Sequence, residues 1–174
     1  MINGFVARTL GALACVAVAG MALANDGSGD PAAVDEDSGK FYDAEGNPTF
    51  KVTEDGTVDW YTYSGFRRYH AECHTCHGPA GDGSTYAPAL TGSLQKLSYS
   101  DFMDVVVNGR VNVSASQHNV MPAFGTNPNV MCYLDDIYIY LRARADDAVG
   151  RVRPEKRADK PEAFTEAERA CMQS

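Results

Sequence analysis

The feature that most constrains this chain is the sequence Cys-His-Thr-Cys-His at residues 73–77. Cys73 and Cys76 are three positions apart, so both thiols lie on the same side of one helical turn. Two thiols in this arrangement can each add to one vinyl group of a single porphyrin, and His77 can supply the proximal ligand of its iron. The spacing therefore predicts one covalently bound haem c.

Two other kinds of site can be drawn on the same residues. A redox-active Cys-x-x-Cys pair belongs in a strand-to-helix context, and no βαβ pattern surrounds this motif. A zinc site can combine His70 with Cys73, Cys76 and His77, but closed zinc sites usually take their second ligand pair from elsewhere in the chain. No second Cys-x-x-Cys is present, so the pattern favours haem attachment.

The first 24 residues have the composition of an export signal. Arg8 supplies a positive start, residues 10–22 are apolar, and Ala22-Leu23-Ala24 matches a cleavage site. We expect cleavage near Ala24, loss of Cys15 with the signal, and a mature protein in the periplasm. The apolar run is too short to span a bilayer comfortably, and no other segment is longer, so stable membrane insertion is not expected.

Charge is distributed unevenly along the chain. Residues 25–59 hold ten of the 23 acidic residues and only two lysines, whereas the sequence after Trp60 is close to neutral. A surface that follows nucleic-acid phosphates needs a net basic face, so nucleic-acid binding is disfavoured. Either the acidic leader or the basic stretch at residues 142–160 can steer a protein partner, and the sequence does not decide between them.

The mature chain divides into a central domain and two extensions. Residues 25–63 form an acidic extension, in which 25–40 lack the apolar residues needed for order. Residues 50–61 have the pattern of a hairpin around Asp55-Gly56; we interpret it as a flap over haem or core surface, with a docking arm for a partner as the alternative. Residues 64–145 form the haem domain. Residues 146–174 form a basic extension with a short helix.

The apolar periodicity predicts an all-α haem domain. One helix runs from an N-cap at Ser64 to about His74 and delivers both cysteines. A second runs from 101 to 108 after Ser100, and a third from about 130 to 145. A capping box that starts at Thr165 opens the last helix.

The second axial ligand decides whether the haem carries electrons or binds substrates. Met121 is the candidate, because it lies in a loop between two predicted helices, where Pro122 and Gly125 can hold its thioether in place. His118, three residues earlier, is the rival ligand. Met103 and Met131 lie in or at the start of helices and are expected to pack against neighbouring side chains.

These residues resemble the class I c-type cytochromes. The resemblance covers about residues 64–145 and implies that fold around one haem. It also implies that the carbonyl of Pro88 orients His77. It rests on Gly65, Tyr69, the Cys-His-Thr-Cys-His-Gly run, Pro88-Ala89-Leu90, residues 107–110, residues 121–125 and residues 137–141.

Cys132 and Cys171 are the cysteines left after haem attachment and signal removal. An even pair in an oxidising compartment predicts a structural disulfide, with a redox role as the alternative. It would close a loop of about 40 residues and contribute roughly 4 kcal/mol in the chain-entropy model.

The acidic leader, the approach at residues 60–65 and this second cysteine pair resemble the four-cysteine cytochromes linked to methanol metabolism. The resemblance implies an electron carrier, not an enzyme. Its donor would be a periplasmic quinoprotein methanol or alcohol dehydrogenase, and its acceptor a terminal oxidase or another cytochrome c. The competing hypothesis is a peroxidase-like or gas-binding haem protein with an open distal site, in which Met121 does not ligate and His118 acts as a base.

Overall fold

The computed structural model describes Met1, residues 28–114 and residues 117–173. Cys15 and the predicted cleavage site near Ala24 lie outside these residues, as does the predicted signal peptide apart from Met1. None of the helices in the described ranges is long and apolar enough to cross a bilayer. The elements are β1 (Asp35–Asp37), β2 (Lys40–Tyr42), β3 (Pro48–Thr49), α1 (Trp60–Glu72), α2 (His74–His77), α3 (Leu90–Leu94), α4 (Tyr99–Asn108), β4 (Arg110–Ser114), β5 (Gln117–Met121), α5 (Pro128–Met131), α6 (Leu134–Ala145) and α7 (Glu162–Met172).

Helices α1 and α6 cross at Gly65, and the core is built around this crossing. A Cβ atom on Gly65 would lie 1.8 Å from the backbone oxygen of Asp136 and 2.8 Å from Cβ of Tyr140, so the two backbones approach too closely for any other residue. Helix α6 also contacts α3 and β3, which buries it on nearly all sides. Its fully buried apolar residues include Ile137, Tyr138, Ile139, Tyr140, Leu141 and Ala143.

Helix α1 begins earlier than the sequence predicts, because Asp59 and not Ser64 is its N-cap. The Asp59 carboxylate accepts hydrogen bonds from the backbone N–H groups of Thr62 and Lys51, both at 2.8 Å. The cap thus also fastens the preceding segment to the helix. Trp60 and Tyr61 begin this helix and are buried in the core, so they are not part of a hairpin.

The described part of the N-terminal extension is more ordered than its composition predicts. Residues 35–49 form an antiparallel sheet in the order β1-β2-β3. The predicted turn at Asp55-Gly56 closes a single bridge between Val52 and Val58, but its second arm continues into α1 and does not form a strand.

The all-α prediction is wrong in detail, because the fold also contains this sheet and a hairpin of β4 and β5. In the hairpin Arg110 pairs with Met121 and Val111 with Val120. The predicted helix over 130–145 is divided into α5 and α6 by a break at Cys132 and Tyr133.

The second predicted helix, α4, begins at Tyr99, two residues before the predicted start. Ser98, not Ser100, caps α4. Its hydroxyl accepts a hydrogen bond from the backbone N–H of Asp101, and the Asp101 carboxylate accepts one from the backbone N–H of Ser98.

The C-terminal extension folds back onto the core. The Cys132–Cys171 disulfide joins α5 to α7, as the cysteine count predicts. Phe164 of α7 packs edge-on against Trp60 and Tyr61, with ring centroids 5.6 and 5.2 Å apart. Helix α7 starts at Glu162, so the capping box predicted at Thr165 lies inside the helix and does not open it.

Two cations of the basic stretch are buried, which excludes them from steering a partner. Arg142 is 1% exposed and forms an ion pair of 2.7 Å with Asp43. Arg144 donates to the backbone oxygens of Ala80 at 3.1 Å and Val149 at 2.6 Å. Both guanidinium groups are therefore structural.

The Gly65→Ala substitution tests the helix crossing. The added methyl group would overlap the Asp136 backbone, which cannot move away without separating α1 from α6. We expect the free energy of unfolding of the holoprotein to fall by at least about 3 kcal/mol, measured by urea denaturation and circular dichroism. The control is Gly92→Ala in α3, where a Cβ meets nothing within 4 Å. Equal stability of the two variants would contradict the proposed steric limit.

The Asp136 carboxyl makes the stability depend on pH. Burial raises its pKa from 3.8 to about 7, and its Oδ2 atom has no hydrogen-bond partner among the described residues. The folded state binds the proton more tightly than the unfolded state, so stability is lost as pH rises from about 4 to about 7.

Asp136→Asn removes this titration. We expect the variant to exceed the wild type in free energy of unfolding by about 2–4 kcal/mol at pH 8, and by less at pH 5. The control Asp135→Asn loses an ion pair of 2.8 Å with Lys40, so it should gain nothing at pH 8. A gain independent of pH would contradict the assignment to Asp136.

Candidate haem-binding site

The two attachment cysteines lie where α1 ends. Cys73 is the C-cap of α1, with its N–H bonded to the Tyr69 oxygen at 2.9 Å, and α2 continues for one turn to His77. Cys73 is half-buried and Cys76 is exposed, and both thiols are free. The sequence prediction that one helix delivers both cysteines holds for Cys73 and is wrong for Cys76, which lies in α2 after a change of helix at Cys73.

His77 is held in one orientation by a backbone carbonyl. Its side chain is buried, and its Nδ1 lies 3.2 Å from the oxygen of Pro88. Burial lowers the pKa of His77 below its ordinary value, although the bond to Pro88 opposes this shift. A neutral ring that donates from Nδ1 leaves the Nε2 lone pair available, which is the form in which imidazole binds a metal.

The loop that brings Pro88 to His77 depends on two glycines. Gly78 has a φ of 78°, and a Cβ there would lie 2.5 Å from the Gly83 oxygen. Gly83 has a φ of 85°, donates its N–H to the His77 oxygen at 2.8 Å, and packs against Ala89. The Tyr69 hydroxyl donates to the Gly78 oxygen and joins the loop to α1.

The described residues around the thiols do not form a zinc site. Burial, and to a smaller extent the neighbouring Glu72, raises the pKa of the Cys73 thiol to about 12. In the described ranges no group of three or more His, Cys, Asp or Glu side chains is arranged to hold a metal ion.

Met121 lies at the end of β5 and not in the loop that the sequence predicts, and its side chain is half-buried against the core. A Cβ on Gly109 would lie 2.6 Å from the Met121 oxygen, so α4 ends in close contact with this residue. The following loop is fastened to α4 by the N–H groups of Phe124 and Gly125, which bond to Val106 and Val107, both at 3.0 Å.

The other candidate ligands are placed differently. Met103 and Met131 pack against the core and line a small cavity beside Phe164 of α7, as the sequence predicts for packing methionines. His118 belongs to β5, and its side chain lies outside the described part of the structure.

The donor set fits a covalently bound haem. It comprises two free thiols on one turn, an imidazole fixed through Nδ1, and a thioether at the end of β5, just before a loop that is bonded to α4. Thiols, imidazole and thioether are the attachment and axial groups of haem c.

Two contacts around the motif were not predicted. The Ser84 hydroxyl donates to the Cys76 oxygen, and the Asn127 side chain donates to the Glu72 carboxylate at 3.5 Å. The glycine-rich composition of residues 78–83 predicts a loop. Which groups the residues after it contact depends on the tertiary structure, so the sequence does not predict these hydrogen bonds.

Comparison with known proteins agrees with these groups. The family described as cytochrome c oxidase, cbb3-type, subunit III matches residues 62–141. Cytochrome c-553I of Paracoccus denitrificans is 53% identical over 136 residues, 78% of this chain; the chain spans only 60% of that relative's length. Cytochrome c-555 of Methylococcus capsulatus is 42% identical over 93 residues, which are 53% of this chain and 69% of that protein.

A solved structure is similar as well. The c-type cytochrome XoxG from Methylobacterium extorquens AM1 superimposes with a TM-score of 0.75 at 55% sequence identity, over 81% of this chain and 86% of that chain. The superimposed part of this chain extends well beyond α1 and α2, the helices that carry the Cys-x-x-Cys-His motif.

Proposed function

Since the chain belongs to the class I c-type cytochromes, we propose that it is a periplasmic, mono-haem single-electron carrier. It accepts electrons from a quinoprotein methanol or alcohol dehydrogenase and passes them to a terminal oxidase or another cytochrome c. A single Cys-x-x-Cys-His motif supports one haem. The export signal predicted over residues 1–24 supports the periplasm.

Each residue of the site has a distinct role in this proposal. Cys73 and Cys76 would hold the haem covalently, and His77 and Met121 would ligate its iron. The Pro88 carbonyl, 3.2 Å from Nδ1, keeps the His77 ring oriented and increases its basicity. The haem, when bound, supplies reversible one-electron chemistry, and a thioether ligand raises the reduction potential.

The anchored loop of Met121 is the observation that carries the carrier function. Two backbone bonds to α4 and the close contact with Gly109 fix the loop. A methionine held in this way would exclude exogenous ligands from the iron and would keep rearrangement on electron transfer small. An enzyme with an open distal site would need this position free.

Two features support methanol metabolism as the setting. The chain has the four-cysteine pattern of that group of cytochromes, and its second pair forms the Cys132–Cys171 disulfide. It is also 55% identical to the cytochrome XoxG of a Methylobacterium. A quinoprotein dehydrogenase releases electrons that a one-electron carrier must accept singly, which matches a mono-haem protein.

Met121→Ala tests the axial ligand. Loss of the thioether should lower the reduction potential and allow cyanide or carbon monoxide to bind the iron, as followed by redox titration and absorption spectroscopy. Met103→Ala, which alters a packing methionine, should do neither. An unchanged potential and spectrum for Met121→Ala would remove the ligand assignment.

Stopped-flow reduction of the ferric protein tests the donor. A pyrroloquinoline quinone-dependent methanol dehydrogenase with methanol should reduce the wild-type protein, and omission of methanol should abolish the reduction. Absence of reduction at every ionic strength would remove the methanol dehydrogenase from the proposal and leave the carrier function, which the Met121 variant tests separately.

A further inference from the structure

A cavity of about 180 Å³ lies where both extensions meet the haem domain, and we call it the α7 cavity. Its lining side chains come from β2, α1, α4, α5, α6 and α7. Phe164 and Glu168 of α7 form one side, and the Cys132–Cys171 disulfide joins this helix to α5. Ala167, which also lines the cavity, is exposed, so the cavity opens to solvent beside α7. Of the described residues that line it, none belongs to the donor set of the haem.

One carboxylate that lines the α7 cavity has an oxygen without a partner. Asp136 is 4% exposed, and its Oδ2 atom accepts no hydrogen bond from the residues that the structure describes. A buried polar atom of this kind is normally satisfied by the protein, by water or by a ligand. Because a carboxylate only accepts hydrogen bonds, the group that satisfies Oδ2 must be a donor, and a cationic donor binds it most strongly.

The other two acids that line the α7 cavity already have cationic partners. Asp135 pairs with Lys40 at 2.8 Å, and Glu168 pairs with Lys160 at 2.5 Å. Lys40 also lies near enough to Asp136 to lower the pKa of its carboxyl, but the ammonium group of this lysine donates to Asp135. Asp136 is therefore the acid at which a cation from solution would find a carboxylate oxygen still unpaired.

Most of the remaining lining side chains are apolar. They comprise two aromatic rings, two thioethers and one leucine, contributed by Tyr61, Phe164, Met103, Met131 and Leu134. Aromatic faces attract cations, and methionine side chains adapt to the shape of a bound group. A ligand that fills this cavity therefore needs an apolar body as well as a charged head.

The size and the ligand set of the cavity exclude other cations. In the described ranges no group of three or more His, Cys, Asp or Glu side chains can hold a metal ion. A hard metal ion would also need about six oxygen ligands, which an apolar lining does not supply. Because a cavity of about 150 Å³ can hold benzene, the α7 cavity suits an organic ligand of about five to eight non-hydrogen atoms.

We propose that the α7 cavity binds a small primary alkylammonium ion, whose ammonium group donates to the unpaired Oδ2 of Asp136. Its alkyl chain packs against Met103, Met131 and Phe164. The bound ion supplies the missing partner of the carboxylate and covers the apolar lining at the same time. It also contacts α4, α5, α6 and α7 together, so that occupancy stabilises the C-terminal extension on the haem domain. The proposal goes beyond electron transfer and does not depend on the identity of the electron donor.

Calorimetric titration of the holoprotein with n-butylammonium chloride tests the site. Burial raises the pKa of Asp136 to about 7, so the carboxyl is mostly ionised at about pH 8, where the titration is done at constant ionic strength. We expect saturable binding with a Kd of about 1 mM or lower, which is within the affinity available to a ligand of this size. The uncharged 1-butanol should bind at least about tenfold more weakly, because it lacks the ionic hydrogen bond. Potassium chloride should not displace the ammonium ion.

Three variants locate the binding site. Asp136→Asn should weaken binding of n-butylammonium at least about tenfold, since the amide carries no charge. Asp146→Asn is the matched control: the same change is made on the exposed C-cap of α6, outside the cavity, and the affinity should stay that of the wild type. Ala167→Trp should fill the opening beside α7 and weaken binding to a similar extent while Asp136 stays intact. Circular dichroism and the haem absorption spectrum verify that each variant is folded.

Amide chemical shifts of the ferrous protein place the ligand independently. On addition of n-butylammonium chloride they should change mainly in residues 131–136 and 164–168. Absence of saturable binding to the wild type would mean that water alone fills the cavity and would overturn the proposal. It would be overturned equally by wild-type affinity in Asp136→Asn or Ala167→Trp, by equal binding of 1-butanol, or by displacement with potassium. None of these outcomes bears on the proposed electron transfer, which is tested through Met121 and the dehydrogenase.

Discussion

The rest of the structure depends on the contact between α1 and α6 at Gly65. Because α1 carries the attachment turn at its C-terminal end, the crossing fixes where the cysteines lie relative to the core. Helix α6 then holds the loop after the motif. Arg144 donates to the Ala80 oxygen at 3.1 Å, and Leu141 lies 3.3 Å from the position of a Cβ on Gly81. The orientation of His77 thus depends on α1, which carries the attachment turn, and on α6, which holds the following loop.

The parts of the site that the sequence predicts are those encoded by spacing. Cys73, Cys76 and His77 are close in the chain, so one helical turn brings them together whatever the tertiary structure does. Pro88 was placed by resemblance, and the structure puts its carbonyl 3.2 Å from Nδ1 of His77. The disulfide is predictable from the number of cysteines, because only Cys132 and Cys171 remain once haem attachment and signal removal account for the other three.

The boundaries that the sequence misses are those decided by tertiary contacts. Ser64 and Asp59 are both acceptable N-caps in isolation, but only Asp59 also binds the Lys51 N–H and lets Trp60 pack against Phe164. Strand β1 consists of three acidic residues with low strand propensity. It forms because β2 pairs with it, and no local pattern contains that information.

The pairing of the charged side chains is also decided by tertiary contacts. A helix buried on nearly all sides cannot leave an arginine unpaired, so Arg142 recruits Asp43 and the backbone oxygens of Ser28, Asp30 and Pro48. This contact orders a leader that its composition alone would leave loose. Lys156 and Asp55 join the two extensions in a second place. Arg142 therefore ties the N-terminal extension to the haem domain, and Lys156 with Asp55 pairs opposite charges from the two extensions.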